Sequence, residues 1–203
     1  IITGGNAGIG LSTAEAIARQ GGKVVLACRS LARGKSAAQA IAQKIGQSDK
    51  VHKIEVRELD LASLESVRSF ARAFNKEQRR LDVLICNAGI MAPPERQQTA
   101  DGLELQFQVN YLGHWLLAHE LLNDLGTRLI FLSSTTHRAG KLDFGNLQLE
   151  HGYSGFKGYA NSKLATLLAA KEFQRHFNRQ VASSRKDVAV AVHPGLVDTK
   201  LAR

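Results

Sequence analysis

Cysteine is nearly absent from this chain: two in 203 residues, too few for a disulfide framework. Cys28 and Cys86 each close an apolar run that reads as a strand, which makes them buried free thiols rather than a disulfide or a metal site. That usage fits a reducing compartment. Proline is equally scarce, with three residues, and no repeat, low-complexity tract or Ser/Pro-rich linker divides the chain. A charged fraction of 22% against 44% apolar residues excludes disordered and fibrous classes. No run of 18 apolar residues could cross a bilayer, and no secretory leader is visible. The expected setting is the cytoplasm or the cytoplasmic face of a membrane. Ile1-Ile2-Thr3 reads as the interior of a strand, so any anchor upstream of Ile1 lies outside this sequence.

Acidic residues are short as well: 18 against 27 Lys and Arg, for a net charge of +9. Arg68, Arg72 and Lys76 recur at helical spacing, as do Lys171, Arg175 and Arg179, the pattern of solvated helix faces. No zinc-ligand spacing, basic-aromatic repeat or recognition-helix pattern accompanies them, so no nucleic-acid partner is expected. His114 and His119, five apart, do not share a helix face, and no metal site is expected. A general positive charge would favour a phosphorylated cofactor by long-range attraction.

What is present is alternation. Apolar runs at Ile1-Thr3, Lys23-Ala27, Val51-Leu59, Leu81-Cys86, Arg128-Leu132 and Val188-His193 predict strands. Helical patterns fall between them at Ile9-Gln20 (stopped by Gly21-Gly22), Leu31-Ile45, Ser63 to about Phe74, Asp101-Leu125 and Tyr159 to about Phe177, while 135–157 reads as irregular. Strands alternating with helices predict one α/β domain over 1–203, a doubly wound Rossmann-type parallel sheet with helices on both faces. Such sheets bind ligands at the carboxyl ends of their strands.

Gly4, Gly8 and Gly10 lie in the first strand-to-helix turn, where glycine lets pyrophosphate oxygens approach backbone N–H groups at a helix N-terminus. At the end of the second strand, where an acidic residue would select NAD, Arg29 stands instead, with Arg33 and Lys35 behind it. A guanidinium suits a 2′-phosphate, so NADP(H) is the expected cofactor and NAD(H) the alternative. Arg29 stacking on adenine or facing solvent is the plainer reading. Asp60-Leu61 follows the third strand, where the carboxylate could take an adenine amino hydrogen or satisfy the next helix start. Asn87-Ala88-Gly89 ends the fourth strand, with a largely architectural role expected.

Tyr159 and Lys163 are four apart and share a helix face. A free tyrosine has a pKa of about 10; a nearby ammonium favours phenolate, allowing Tyr159 to exchange a proton with a carbonyl or alcohol oxygen. Ser133-Ser134 ends the fifth strand, where a hydroxyl can steady developing charge or merely form a turn. Asn110 could bridge backbone and a water leading to Lys163, or serve as a structural amide. No Gly-x-Ser-x-Gly elbow surrounds Ser134, which removes a hydrolase triad.

In their order, Thr3-Gly4-xxx-Gly8-Ile9-Gly10, Asp60, Asn87-Ala88-Gly89, Asn110, Ser134, Tyr159-xxx-Lys163, Pro194-Gly195 and Thr199 resemble the short-chain dehydrogenase/reductase family along nearly the whole chain. The resemblance implies a catalytic tetrad of Asn110, Ser134, Tyr159 and Lys163. It implies cofactor contacts from Gly4, Asn6, Gly8, Ile9, Gly10, Arg29, Asp60, Leu61, Asn87, Ala88, Gly89, Tyr159, Lys163, Pro194, Gly195 and Thr199. Ala27-Cys28-Arg29-Ser30, Phe107-Gln108-Val109-Asn110-Tyr111-Leu112-Gly113-His114, Ser133-Ser134-x-x-His137, Tyr159-x-x-Ser162-Lys163-Leu164 and the insert Lys141-Leu142-Asp143-Phe144 look like the retinol dehydrogenase branch. That branch includes dehydrogenase/reductase X-type and WW-domain oxidoreductase relatives. Implied with it are NADP(H), apolar alcohols, aldehydes or ketones such as retinoids and steroids, association with a membrane surface, and a homodimer through the Asn110 and Tyr159 helices. The family's last strand and substrate-covering segment are expected beyond Arg203. The expected function is hydride transfer with Tyr159 as general acid/base; the alternative is a catalytically silent NADP(H)-binding scaffold or sensor.

Overall fold

The computed structural model describes residues 1–46, 54–122, 127–179 and 187–195. Six parallel strands, β1 (Ile2–Thr3), β2 (Val24–Cys28), β3 (Ile54–Glu58), β4 (Val83–Cys86), β5 (Arg128–Leu132) and β6 (Val188–Val192), form one sheet in the order β3-β2-β1-β4-β5-β6. The chain winds outward from β1 through β2 to β3, then returns past β1 to build β4, β5 and β6. The direction therefore reverses between β1 and β4, and a crevice opens there at the strands' carboxyl ends.

Helices cover both faces. All five residues of β2 are buried, as a strand sandwiched between helix layers requires. Val24 and Leu26 point into one core with Ile2, Ala14, Ala37, Ile41 and Ile85, beneath α1 (Gly8–Arg19) and α2 (Leu31–Ile45). Val25 and Ala27 point into the other with Phe70, Phe74, Leu117, Phe131 and Phe173, beneath α3 (Leu64–Lys76), α5 (Gly113–Leu121) and α6 (Gly155–Arg179). Period-two alternation along one strand thus feeds two cores. Ser30 and Ser63 cap α2 and α3, their hydroxyls accepting from the N–H groups of Arg33 and Ser66. Cys28 and Cys86 are buried free thiols, and burial raises the pKa of each. Arg68, Arg72, Lys76, Lys171, Arg175 and Arg179 are all exposed. Among the described residues no helix is long and apolar enough to cross a membrane.

Several expectations need correction. The helix expected over Asp101-Leu125 begins only at Leu105, because Asp101-Gly102 turn and Glu104 caps the helix, its carboxylate accepting from Phe107 N–H. It is also not one regular helix: α4 (Leu105–Phe107) passes into a π-helical turn, Gln108–Leu112, before α5. Leu125 lies outside the described residues. Helix α6 starts at Gly155, four residues before Tyr159, where Ser154 accepts from Lys157 N–H at 3.4 Å. The stretch read as irregular contains a 3-10 turn, Thr135–Ala139. The third strand begins at Ile54; Val51 lies outside the described residues.

Candidate active site

The β1–α1 turn forms one wall of the crevice. Gly4 and Gly8 have φ of +62° and +53°, the left-handed region that favours glycine. Gly10 sits elsewhere: it is buried behind the loop, where an added Cβ would lie 2.5 Å from Asn87 Nδ2 and 2.7 Å from the Gly4 carbonyl oxygen. Its smallness lets α1 close onto the loop rather than exposing backbone to a ligand. Asn87 ties the same loop down, donating from Nδ2 to the Thr3 carbonyl at 2.8 Å. Thr3 Oγ1 in turn accepts from the backbone N–H groups of Asn87 and Ala88, each at 2.9 Å. These bonds join the ends of β1 and β4 across the reversal point.

Two adjoining hollows make up the crevice. One is lined by Gly4, Asn6, Gly8, Ile9, Asn87, Ala88, Gly89, Tyr159, Lys163 and Pro194, among others. The second shares Gly4, Asn6, Ala88 and Gly89 and extends past Asp60 and Leu61 to Arg29, Ser30 and Arg33. Arg29 and Arg33 are exposed, and no ion pair among the described residues engages either. Asp60 lines the hollow while Oδ1 accepts from Ala62 N–H at 2.9 Å, holding the turn into α3. Gly195 follows Pro194 with φ +79°; Thr199 lies outside the described residues.

Tyr159 and Lys163 lie on the crevice side of α6 and are 6% and 4% exposed. Lys163 Nζ donates to the Leu132 carbonyl at 2.8 Å and stands 5.5 Å from the Tyr159 ring centroid. Burial lowers the Lys163 pKa from 10.5 to about 8, so the ammonium still predominates at neutral pH. Burial raises the Tyr159 phenol above its ordinary 10, with the hydrogen-bonded Ser134 side chain pulling it back down. The pair is therefore a neutral phenol beside an ammonium. The two serines divide their work. Ser133 Oγ donates to the Lys163 carbonyl at 2.9 Å, and Ser134 Oγ, which accepts from Thr136 N–H at 3.2 Å, is the one beside the phenol.

Asn110 joins two segments of backbone. It is 1% exposed, and its amide donates to the Ile90 carbonyl at 3.0 Å and to Ser162 Oγ at 2.9 Å, while Oδ1 accepts from Ile90 N–H at 2.9 Å. Both donors are spent, so the side chain clamps the loop after β4 onto α6. Ser162, Thr166 and His114 make bonds that sequence reading missed, Ser162 and His114 having entered only as parts of the branch's pattern. The signal for the first two was their i+3 and i+4 spacing along α6; Thr166 Oγ1 donates to the Ser162 carbonyl at 2.8 Å.

His114 is fully enclosed, and burial pushes its pKa from 6.5 down to about 4, with Lys163 adding to the fall and the Asn110 carbonyl opposing it. In the unfolded chain the ring takes a proton near 6.5, but in the fold only near 4. Between those values the unfolded state binds the extra proton, so stability falls as pH drops from 6.5 toward 4, by up to about 3 kcal/mol. Denaturant titrations across that range should show this loss in the unaltered protein and a flatter response in His114→Phe; identical slopes would remove His114 as its source.

The chain belongs to the short chain dehydrogenase family, whose model matches residues 1–203. It is similar to retinol dehydrogenase 11 of Mus musculus, 42% identical over all of this chain and 62% of that protein. It is also similar to retinol dehydrogenase 13 of Homo sapiens, 42% identical over all of this chain and 60% of that one. The chain thus spans about three fifths of the length of these curated relatives. Among solved structures, an uncharacterized protein from Mycobacterium paratuberculosis superposes with a TM-score of 0.82 at 40% identity, over 99% of this chain and 69% of that one. A short-chain dehydrogenase from Sphingobium yanoikuyae, at 24% identity, TM-score 0.73 and coverage of 98% and 71%, shares the fold.

Proposed function

We propose that this chain is the dinucleotide-binding and catalytic part of an NADP(H)-dependent oxidoreductase acting on apolar alcohols, aldehydes or ketones of retinoid or steroid type. The observation that carries the reading is the buried Tyr159–Lys163 pair on the crevice that also holds the glycine turn. The names of the relatives, retinol dehydrogenases, support the substrate class. Exposed Arg29 and Arg33 at the far end support the 2′-phosphorylated cofactor.

The residues fit a dinucleotide. The backbone between Gly4 and Ile9 opens onto the crevice at the N-terminus of α1, where N–H groups and the helix dipole meet a pyrophosphate. Arg29 and Arg33 would hold the 2′-phosphate, Asp60 and Leu61 the adenine side, and Asn6, Ala88, Gly89 and Pro194 the middle of the molecule. Asn87 lines the crevice as well as tying down the loop, and Gly10 shapes the loop from behind. The cofactor, when bound, supplies or accepts the hydride.

Tyr159 donates its phenolic proton to the carbonyl oxygen being reduced, and takes it back from the alcohol in reverse. Ser134 steadies the substrate oxygen as charge develops. Lys163 supplies a positive charge beside the phenol and can replace the proton Tyr159 has lost. Asn110 holds the loop carrying Ile90 against α6, which fixes Tyr159 relative to the glycine turn.

The test uses the full-length protein, a panel of apolar aldehydes including retinal, and absorbance of NADPH and then NADH. NADPH-selective turnover is the expected result. Tight NADPH binding without turnover on any substrate would overturn the enzymatic reading in favour of a cofactor-binding sensor.

A further inference from the structure

His114 takes no part in the chemistry above, yet both of its ring nitrogens are engaged. Nε2 lies 2.8 Å from Thr3 Oγ1 and Nδ1 lies 3.0 Å from the Asn110 carbonyl oxygen. The partners determine where the ring proton sits. Thr3 Oγ1 already accepts from Asn87 N–H and Ala88 N–H, which uses both lone pairs and leaves only its hydrogen to give. Two acceptors stand within reach, His114 Nε2 at 2.8 Å and the Ile85 carbonyl at 3.4 Å, and the shorter contact takes the hydrogen. The Asn110 carbonyl can only accept, so Nδ1 must carry the ring hydrogen. One tautomer satisfies every partner.

We propose, resting on the oxidoreductase reading, that His114 is a positioning residue locked as the Nδ1–H tautomer, tying the floor of the dinucleotide crevice to the π-helical turn that presents Asn110. The hydrogen bonds run without a break. From the backbone of Asn87 and Ala88 they pass through Thr3 Oγ1 to His114 and the Asn110 backbone. From the Asn110 amide they continue to Ser162 Oγ, which donates to the Tyr159 carbonyl at 2.8 Å. Thr166 Oγ1 is 3.3 Å from the Asn110 carbonyl but only 2.8 Å from that of Ser162, so its single hydrogen does not replace the His114 bond. Cofactor seat and tyrosine helix are thus registered through one imidazole. A histidine merely filling the core would leave them independent.

Two measurements on the full-length protein decide. Nitrogen-15 spectra of the histidine rings should show one ring protonated at Nδ1 and bare at Nε2, whose Nε2 resonance moves in Thr3→Val; an Nε2–H ring at this position overturns the proposal. A double-mutant cycle on NADPH affinity, read by binding without substrate, should show His114→Phe and Thr3→Val each weakening binding about tenfold. The double variant should be no weaker than the worse single one. Losses that multiply would overturn the coupling. If His114→Phe does not fold, the nitrogen spectra of the unaltered protein and Thr3→Val decide alone. A protein that binds NADPH but turns over nothing would sink the enzymatic reading and leave this test intact.

Discussion

Tyr159→Phe should lower turnover by roughly a thousandfold while changing NADPH affinity by about twofold or less. The reason is local. The substitution removes one hydroxyl from a buried ring and keeps nearly all of its volume, so the packing of α6 survives while the transferable proton is lost. Lys163 keeps its 2.8 Å bond to the Leu132 carbonyl in either form, and the glycine turn does not touch the hydroxyl through any bond described here. Steady-state rates with NADPH and an apolar aldehyde, alongside direct NADPH titration, separate the two effects. Turnover within about tenfold of the unaltered protein would show that another group delivers the proton, since general acid–base contributions are typically larger than that. A parallel fall in NADPH affinity would point instead to a collapsed crevice.

Arg29→Asp should swing the preference for NADPH over NADH by about a hundredfold or more. A charge-assisted hydrogen bond to a phosphate contributes roughly 1.5–3 kcal/mol, and a carboxylate in its place adds repulsion to the loss. The side chain is exposed on the crevice and ion-paired to none of the described residues, so its removal leaves no buried partner stranded and the fold should be indifferent. Arg33 remains nearby in the variant and will hold some affinity, which makes Arg29→Asp with Arg33→Ser the stronger form. The readout is the ratio of kcat/KM for the two cofactors. A ratio unchanged within about threefold would move the 2′-phosphate away from this corner and leave Arg29 as a solvent-facing residue.

Much of the architecture was legible because it depends on short-range physics. Helix α2 and strand β5 run over the residues that periodicity predicts, Leu31–Ile45 and Arg128–Leu132: a serine cap, a run of helix formers and a buried apolar stretch each act within a few residues. The order of strands and helices then determines the class of sheet. Ser63 announced its capping role in the same way. The π-helical turn at Gln108–Leu112 was not legible. Just after it, a Cβ at Gly113 would meet the Leu61 carbonyl at 2.9 Å, so the helix passes close to the loop after β3, and no spacing within residues 101–125 records that neighbour.

The candidate site divides along the same line. Which residue types are present to bind a dinucleotide and move a proton was decided by the sequence alone: glycines in the first turn, an arginine where an acid would select NAD, a tyrosine and a lysine one helical turn apart. What each side chain has left to offer was decided only by the tertiary structure. Asn110 could be a structural amide or a bridge, and only the fold shows its two amide donors spent on Ile90 and Ser162. Gly10 looks like a cofactor contact until its space is seen to belong to Asn87 and Gly4. Burial raises the pKa of the Tyr159 phenol while the Ser134 side chain, which is not adjacent in sequence, lowers it. His114 meets Thr3 across 111 residues of sequence. A residue's chemistry is covalent and travels with its letter, whereas hydrogen-bond saturation and desolvation are set by whatever the fold packs against it, and those neighbours come from anywhere in the chain.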